Sequence, residues 1–527
     1  MRTFLFNIIK MKKLKLVSLA IAMACATPSL AGGLLTNTNQ HVAFNRMMSR
    51  EASIGIDGVY YNPAGVVFMG EGKHLAINWQ LAYQTRSIEN DYPLFTNNVN
   101  NPTTPREFKG KAFAPVIPSF QYAYNKGRWS LQAGFALTGG GGKCTFDDGL
   151  GSFEKIVAET ALAACQLAGA VDQVAAQYGI PAVFTSDKNF GKEGKYSYNS
   201  YMHGRQYYYG LSLGAAYKFS DNFSAFAGVR GIYASTNYYG YVEDIKVGNM
   251  PLYKVLDPTK ETAANIELSC DQSGVGFTPI IGVDFKTGKW NFAAKYEFKT
   301  RIRLKNKSVN QAPSIGNLPD NLRNAYIAGG VPEAAADAII GNPVIQGAMG
   351  QLKTQFDAKL EEAIGEYEDG KKIAGDIPAY LALGVGYSPV NAVRVNVGFH
   401  WFDDKHATSY NNRQEKLDRG TLEYNAGVEV DVNKKITLST GWQNTNYGLS
   451  DEYMDDKSFV VSSNSAAIGG VYHINKKMDL NVAYFHTFYQ HKKTSEKVQL
   501  TEQKSINYSS DYTRNNNVFA VGLDINF

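Results

Sequence analysis

Segments of about ten residues in which apolar side chains alternate with small or polar ones recur along this chain, and that period of two constrains its fold. Leu75, Ile77, Trp79, Leu81 and Tyr83 alternate with Ala76, Asn78, Gln80 and Ala82. Trp290, Phe292, Ala294, Tyr296 and Phe298 alternate with Asn291, Lys295, Glu297 and Lys299. Val393, Val395, Val397, Phe399 and Trp401 alternate with Arg394, Asn396, Gly398 and His400. The runs from Leu422 to Val430 and from Phe519 to Phe527 repeat the pattern. A soluble sandwich also alternates, with its apolar faces turned into a core. Three details oppose it here. The second faces carry glycine, alanine, amides and charges, and aromatic residues recur at the segment ends, where membrane interfaces place them. The chain also ends on Phe527, in register with the apolar face. The pattern predicts an all-β fold, a transmembrane antiparallel β-barrel whose strands cross lipid in about 9–11 residues. No run of about 20 apolar residues follows the N-terminal segment, so no transmembrane helix is expected.

Turn chemistry sets the strand number. Short polar clusters stand at Asn125-Lys126-Gly127, Ser220-Asp221-Asn222, Lys286-Thr287-Gly288-Lys289, Pro389-Val390-Asn391, Val432-Asn433-Lys434-Lys435 and Asn475-Lys476-Lys477. Longer connections lie near 88–112, 141–195, 246–264, 305–376, 404–418, 448–457 and 493–510. Six short turns alternating with seven long loops predict about fourteen strands, with short turns and both termini periplasmic and long loops outside. Two loops carry helical spacing. Val157, Ala161, Ala164, Val171 and Ala175 recur within 141–195, and Leu352, Phe356, Leu360 and Ile364 form a stripe within 305–376. That stripe either packs on its own loop or meets a hydrophobic ligand.

Ahead of the strands, residues 1–31 read as a signal peptide: Lys12, Lys13 and Lys15, an apolar run from Leu16 to Ala24, and Ser29-Leu30-Ala31 as cleavage site. Residues 32–70 are polar, glycine-punctuated and without clean periodicity, yet they include Phe44, Met47, Met48 and Ile54. Such a segment needs support from its surroundings, so it is expected as a plug in the lumen of a barrel formed by 71–527. Phe44 and Met47 are its candidate ligand contacts. Three cysteines remain after the signal, Cys144, Cys165 and Cys270, and their spacing leaves the pairing open.

A net charge of +5 over 527 residues gives no reason to expect nucleic acid. The eight histidines are scattered and no serine–histidine spacing marks a triad, so an enzyme is not expected. No Walker-type loop or cation-ligand cluster stands out, and no cofactor is expected. Arg230, Glu297, His400 and Glu423 fall at similar heights on neighbouring strands. They form either an internal ladder or a setting in which a spare cation, among Arg230, Lys295, Lys299 and Arg394, meets a carboxylate head group.

The plug sequence carries a resemblance. Arg46, Glu51-Ala52, Ile54, Asp57 and Asn62-Pro63-Ala64-Gly65, about thirty residues past the cleavage site and directly before the first strand, resemble the FadL/TodX family of outer-membrane transporters for long-chain fatty acids and other hydrophobic compounds. The resemblance extends in fold and length over the mature chain. It departs in a shorter spacing from Glu51 to Asn62, in Asn45 where a glycine usually precedes Arg46, and in the loops that carry helices. It implies passive movement of an oily substrate from an outer-loop site to a lumen pocket closed by a hatch, with sideways exit through the wall. Arg46, Asp57, Asn62, Pro63, Ala64 and Gly65 would gate it. Asn62 to Gly65 are expected to be a rigid hinge held by few contacts. The expected partners are a hydrophobic small molecule, outer-membrane lipid and lipopolysaccharide, and the barrel assembly machinery, with the chain a monomer. A general porin and a surface receptor or adhesin, including one for haem-like ligands, are the alternatives.

Overall fold

The computed structural model describes residues 35, 36, 39–350, 353, 354, 365–501 and 504–527. The expected signal peptide and the stripe residues Leu352, Phe356, Leu360 and Ile364 lie outside the described residues. Antiparallel strands form a closed barrel of fourteen. They are β1 (Gly72–Asp91), β2 (Arg106–Lys126), β3 (Trp129–Phe146), β4 (Tyr196–Lys218), β5 (Phe223–Val247) and β6 (Ile266–Thr287). β7 runs over Trp290–Glu297 and resumes at Arg303–Gln311, and β8 joins Lys372–Ala374 to Tyr380–Val390. Then come β9 (Val393–Phe402), β10 (Arg419–Asn433), β11 (Ile436–Gly448) and β12 (Ser463–Asn475). β13 (Met478–Tyr489) resumes at Lys492–Thr501, and β14 is Lys504–Asn526. The seam pairs β1 with β14 from His74↔Asn526 to Asp91↔Ser509, so the sheet has no free edge.

All six expected short turns connect consecutive strands at one end. One loop expectation is corrected. Residues 493–510 are mostly a hairpin, with Lys492 opposite Tyr512 and Thr501 opposite Lys504, that carries the wall beyond the apolar band. One face carries only Val498, Leu500, Ile506 and Tyr508 among polar residues, too short a run for hydrophobic alternation to reveal it.

The wall is sided as the period of two requires. Ile77, Trp79 and Tyr83 are exposed on the outside, while Ala76, Asn78 and Gln80 are buried in the lumen. At the loop end, α1 being reserved for a short lumen helix (Val42–Met47), lie α2 (Gly151–Ala176), α3 (Tyr253–Leu256), α4 (Leu318–Ala328) and α5 (Glu333–Ile340). Phe153, Val157 and Val171 of α2 share one apolar core with Tyr326, Ile339 and Ile345, and with Phe459 and Tyr508 from other loops and strands. The helices therefore form one cap. Asp456, from the loop after β11, accepts a 2.7 Å hydrogen bond from the Ser152 amide in the first turn of α2, a donor the helix cannot satisfy itself. Cys144, Cys165 and Cys270 are buried free thiols.

Candidate functional site: hatch, lumen cavity and wall gap

Residues 39–70 are packed inside the barrel, whose lumen supplies what a lone irregular segment lacks: partners for its backbone. Lumen amides provide them. Gln121 Nε2 donates to Gln40 O (2.8 Å), Gln132 Nε2 to Pro63 O (2.7 Å), Asn125 Nδ2 to Val66 O (2.8 Å) and Asn291 Nδ2 to Ala52 O (2.8 Å). Lumen glycines supply the space. A Cβ at Gly441 would stand 1.7 Å from Met47 O and one at Gly427 2.1 Å from it, so only glycine lets α1 lie against β10 and β11.

The arginine and glutamate contacts of the hatch gather on one wall, while His41 Nε2 lies 3.2 Å from Asp524 Oδ1 on β14. Arg46 pairs with Glu429 on β10. Arg50 Nη1 reaches the same carboxylate at 3.3 Å, and Arg50 Nε donates to Asp57 Oδ2 at 2.7 Å. Glu51 Oε1 lies 2.7 Å from His400 Nε2, whose Nδ1 lies 2.9 Å from Glu423 Oε2. On the β1–β3 side the hatch meets amides instead, as where Asn39 and Asn45 both donate to Gln80 Oε1 (2.7 and 2.8 Å).

Asn62 is tied on three sides. Its Nδ2 donates to Asp284 Oδ2 on β6 (2.6 Å) and to Ser53 O (3.2 Å), and its Oδ1 accepts from Gly65 N (3.1 Å). Gln132 holds Pro63 O, and Ser224 Oγ donates to Ala64 O at 2.7 Å. The expectation of few contacts at this segment is thereby corrected, because the polar lumen bonds the Pro63 and Ala64 carbonyls that the turn exposes. Phe44 stacks on Tyr61 (centroids 5.4 Å, planes 7° apart), and Met47 is fully buried against the wall glycines.

The four cations singled out from the sequence all have carboxylate partners. Arg230 Nη1 donates to Glu297 Oε2 (2.6 Å), and Lys295 Nζ donates to Glu297 Oε1 (2.9 Å) and to Tyr60 O (2.7 Å). Lys299 lies 3.8 Å from Asp376, and Arg394 donates to Glu429 (3.2 Å) and Asp431 (2.6 Å). None of them is spare, which corrects that reading in favour of the internal ladder.

Two other arginines are spare. Arg86 on β1 and Arg514 on β14 stand directly opposite each other across the seam and face the lumen. Arg86 Nε (3.2 Å) and Arg514 Nη2 (2.8 Å) share one acceptor, Gln84 Oε1. Arg514 Nε is buried with no acceptor, and its guanidinium lies 5.2 Å from the centre of the Tyr489 ring. Among the described residues neither arginine forms an ion pair. Both line a cavity of about 210 Å³ above the hatch, with Ile117, Leu137, Phe459, Phe485 and Val518 as its apolar walls and Thr36 and Asn39 of the hatch as its floor. Two adjacent cations beside the apolar side of a mixed chamber can bind an anion joined to an oily chain. Sequence alternation places both on a lumen face. It does not reveal that, among the described residues, no carboxylate comes within ion-pair distance of either.

The same cavity reaches a break in the wall. β2 pairs with β3 at Ala112↔Cys144 and again at Ser119↔Ala136, with no pairs between. β3 carries Gly139-Gly140-Gly141-Gly142 there. Gly140 and Gly142 have φ of +91° and +81°, and a Cβ at Gly140 would stand 2.3 Å from Gln206 O. On β2, Pro115 and Pro118 remove two backbone donors from the unpaired stretch. Gly139, Gly140 and Gly142 line the cavity from one side of the break and Val116, 60% exposed, from the other. Four glycines and two prolines within adjacent strands were the signal in the sequence.

A second, fully apolar cleft of about 30 Å³ lies in the cap, between Leu167 and Val171 of α2, Phe184, Phe190, Leu256 and Leu322.

No protein-family model matches the sequence, and no curated protein matches it. Among solved structures, a Pseudomonas aeruginosa FadL homologue superposes with a TM-score of 0.57 at 14% identity, over 94% of this chain and 100% of that one. The deltaS2S3 mutant of the TodX monoaromatic hydrocarbon channel gives 0.53 at 13%, over 92% and 98%. The deltaS2 mutant of the same channel gives 0.50 at 13%, over 93% and 100%. The chain has the fold of the FadL/TodX family: a fourteen-strand barrel with its N-terminal segment in the lumen.

Proposed function

We propose that the chain moves hydrophobic molecules with an anionic head, long-chain fatty acids foremost, passively across the outer membrane. The observation that carries this reading is the Arg86–Arg514 pair over a chamber with one apolar side, formed by Leu137, Phe485 and Val518. A carboxylate there gains two charge-assisted donors, while its chain lies against Phe485, Val518 and Leu137. A neutral hydrocarbon would use only the second half of the site. Cargo enters from the cap end, where the apolar cleft beside α2 offers first contact. It leaves through the gap between β2 and β3 into the membrane, as Arg46, Asp57 and Asn62 let the hatch shift. The filled lumen disfavours a general porin, whose water path needs an open bore. With its seam closed on itself, the barrel needs no second copy.

The test is uptake into vesicles of a long-chain carboxylate and of toluene by wild type and the double variant Arg86→Gln/Arg514→Gln. Loss of two charge-assisted bonds should weaken carboxylate binding at least about tenfold and leave toluene unchanged. Equal carboxylate uptake by the variant sinks the anionic-head reading. Equal loss of both solutes would mark the arginines as wall supports.

A further inference from the structure

On the outside of the barrel, the faces of β2, β3 and β4 change character over one step at the upper edge of the wall gap. Below that edge they show Phe113, Val116, Tyr207 and Tyr209. At it stand Lys111, Lys143 and Arg205. Lys111 and Lys143 each adjoin the last paired residues before the break, Ala112↔Cys144, and Lys143 is directly opposite Arg205. Both lysines are exposed and Arg205 is half-buried. Lys109 has Glu107 3.9 Å away, but among the described residues none of these three cations has a carboxylate within ion-pair distance. Arg205 leans on the Tyr207 ring (5.8 Å), and its Nε is buried with no acceptor.

Height decides what anion these cations meet. β1 changes in register with β2: Tyr83, opposite Phe113, gives way to Thr85, opposite Lys111, and on β6 Val275 gives way to Ser273 one pair below Arg205. That line is where the hydrocarbon ends and the head groups begin. Cations just beyond it face lipid phosphates, where each contributes to anionic-lipid attraction. With the loop end outside, as the proposed function takes it, that leaflet is built of lipopolysaccharide. We propose that Lys111, Lys143 and Arg205 bind the phosphates of a lipid A head group. Its acyl chains then run down over Phe113 and Val116, across the outer mouth of the gap. A soluble phosphate would leave that apolar surface unused, and a neutral lipid would leave the three charges unmet.

The test is native mass spectrometry of the full mature barrel titrated with bis-phosphorylated lipid A and with the same glycolipid lacking both phosphates. Lys111→Gln/Lys143→Gln/Arg205→Gln should bind the phosphorylated form at least about tenfold more weakly than wild type. The phosphate-free form should bind both alike. A control removes the same charge from lysines already paired with Glu193, Asp451 and Asp511, as Lys195→Gln/Lys492→Gln/Lys493→Gln, and should bind like wild type. Undiminished binding by the first variant overturns the proposal, and so does an equal loss in the control. Heat-resistant migration checks that each barrel is closed. If the triple variant does not close, Lys143→Gln must still lose affinity that Lys143→Arg keeps. Neither arm requires cargo to move, so a failed transport reading leaves this result standing and the reverse also holds.

Discussion

Asn62 concentrates three hydrogen bonds in a side chain that is 2% exposed, and its partner Asp284 is a buried carboxylate with no cation within ion-pair distance among the described residues. Asn62→Ala leaves Asp284 with the Asn291 amide at 2.8 Å as its remaining side-chain donor. A buried acceptor stripped of a partner costs about 1–3 kcal/mol. That loss falls on the docking of the hatch and not on the fourteen-strand ladder. The expected outcome is a heat-resistant barrel that admits more of a small polar solute in a vesicle-swelling assay. Asp284→Asn, which removes the charge but keeps an acceptor, should leak less than Asn62→Ala. Wild-type permeability in both would make Asn62 to Gly65 an entry turn alone.

Among the elements, β3 is the one that departs from its role. A strand with four successive glycines forfeits side-chain packing and ladder bonds over that stretch, which is a cost in any ordinary wall. Here it opens the cavity sideways. Deleting Gly140 and Gly141 removes the extra length by which β3 bulges off β4 between Leu137 and Gly142, and should draw β3 back toward β2 across the unpaired stretch. Uptake of a hydrophobic probe should fall to background while heat resistance is kept or raised, and retained uptake would place the exit elsewhere. The strands themselves were legible because lipid and lumen impose opposite chemistry on alternate positions, as along Leu75 to Tyr83. The gap was legible in principle from Pro115, Pro118 and the glycine run. Arg86 and Arg514 were not, because a spare cation is defined by what every neighbouring strand fails to provide. Arg230 and Lys295 look the same in sequence, yet both share Glu297 as a partner.

At the scale of the whole molecule, ion pairs hold the hatch to β9 and β10 through Arg46, Arg50 and Glu51, and amides hold it toward β1–β3, where the wall is broken. If the hatch shifts as proposed, that asymmetry puts the hinge on the β10 side and the opening edge on the gap side. The close approach of α1 to Gly427 and Gly441 has a further consequence, and it concerns the order of construction. The segment that fills the lumen directly precedes β1, and β1 meets β14 only when the last strand has been made. A wall this tightly fitted has no entrance wide enough for a folded plug, so the contents go in before the seam zips. Gly441→Ala forces a methyl group toward Met47 O, a clash of a kind that costs about 1–3 kcal/mol when a packed core is overfilled. Its expected mark is a smaller heat-resistant fraction reaching the membrane, seen in pulse-chase assembly, with normal permeability in the barrels that do close. The hatch would then serve as the mould of the barrel before it serves as its door.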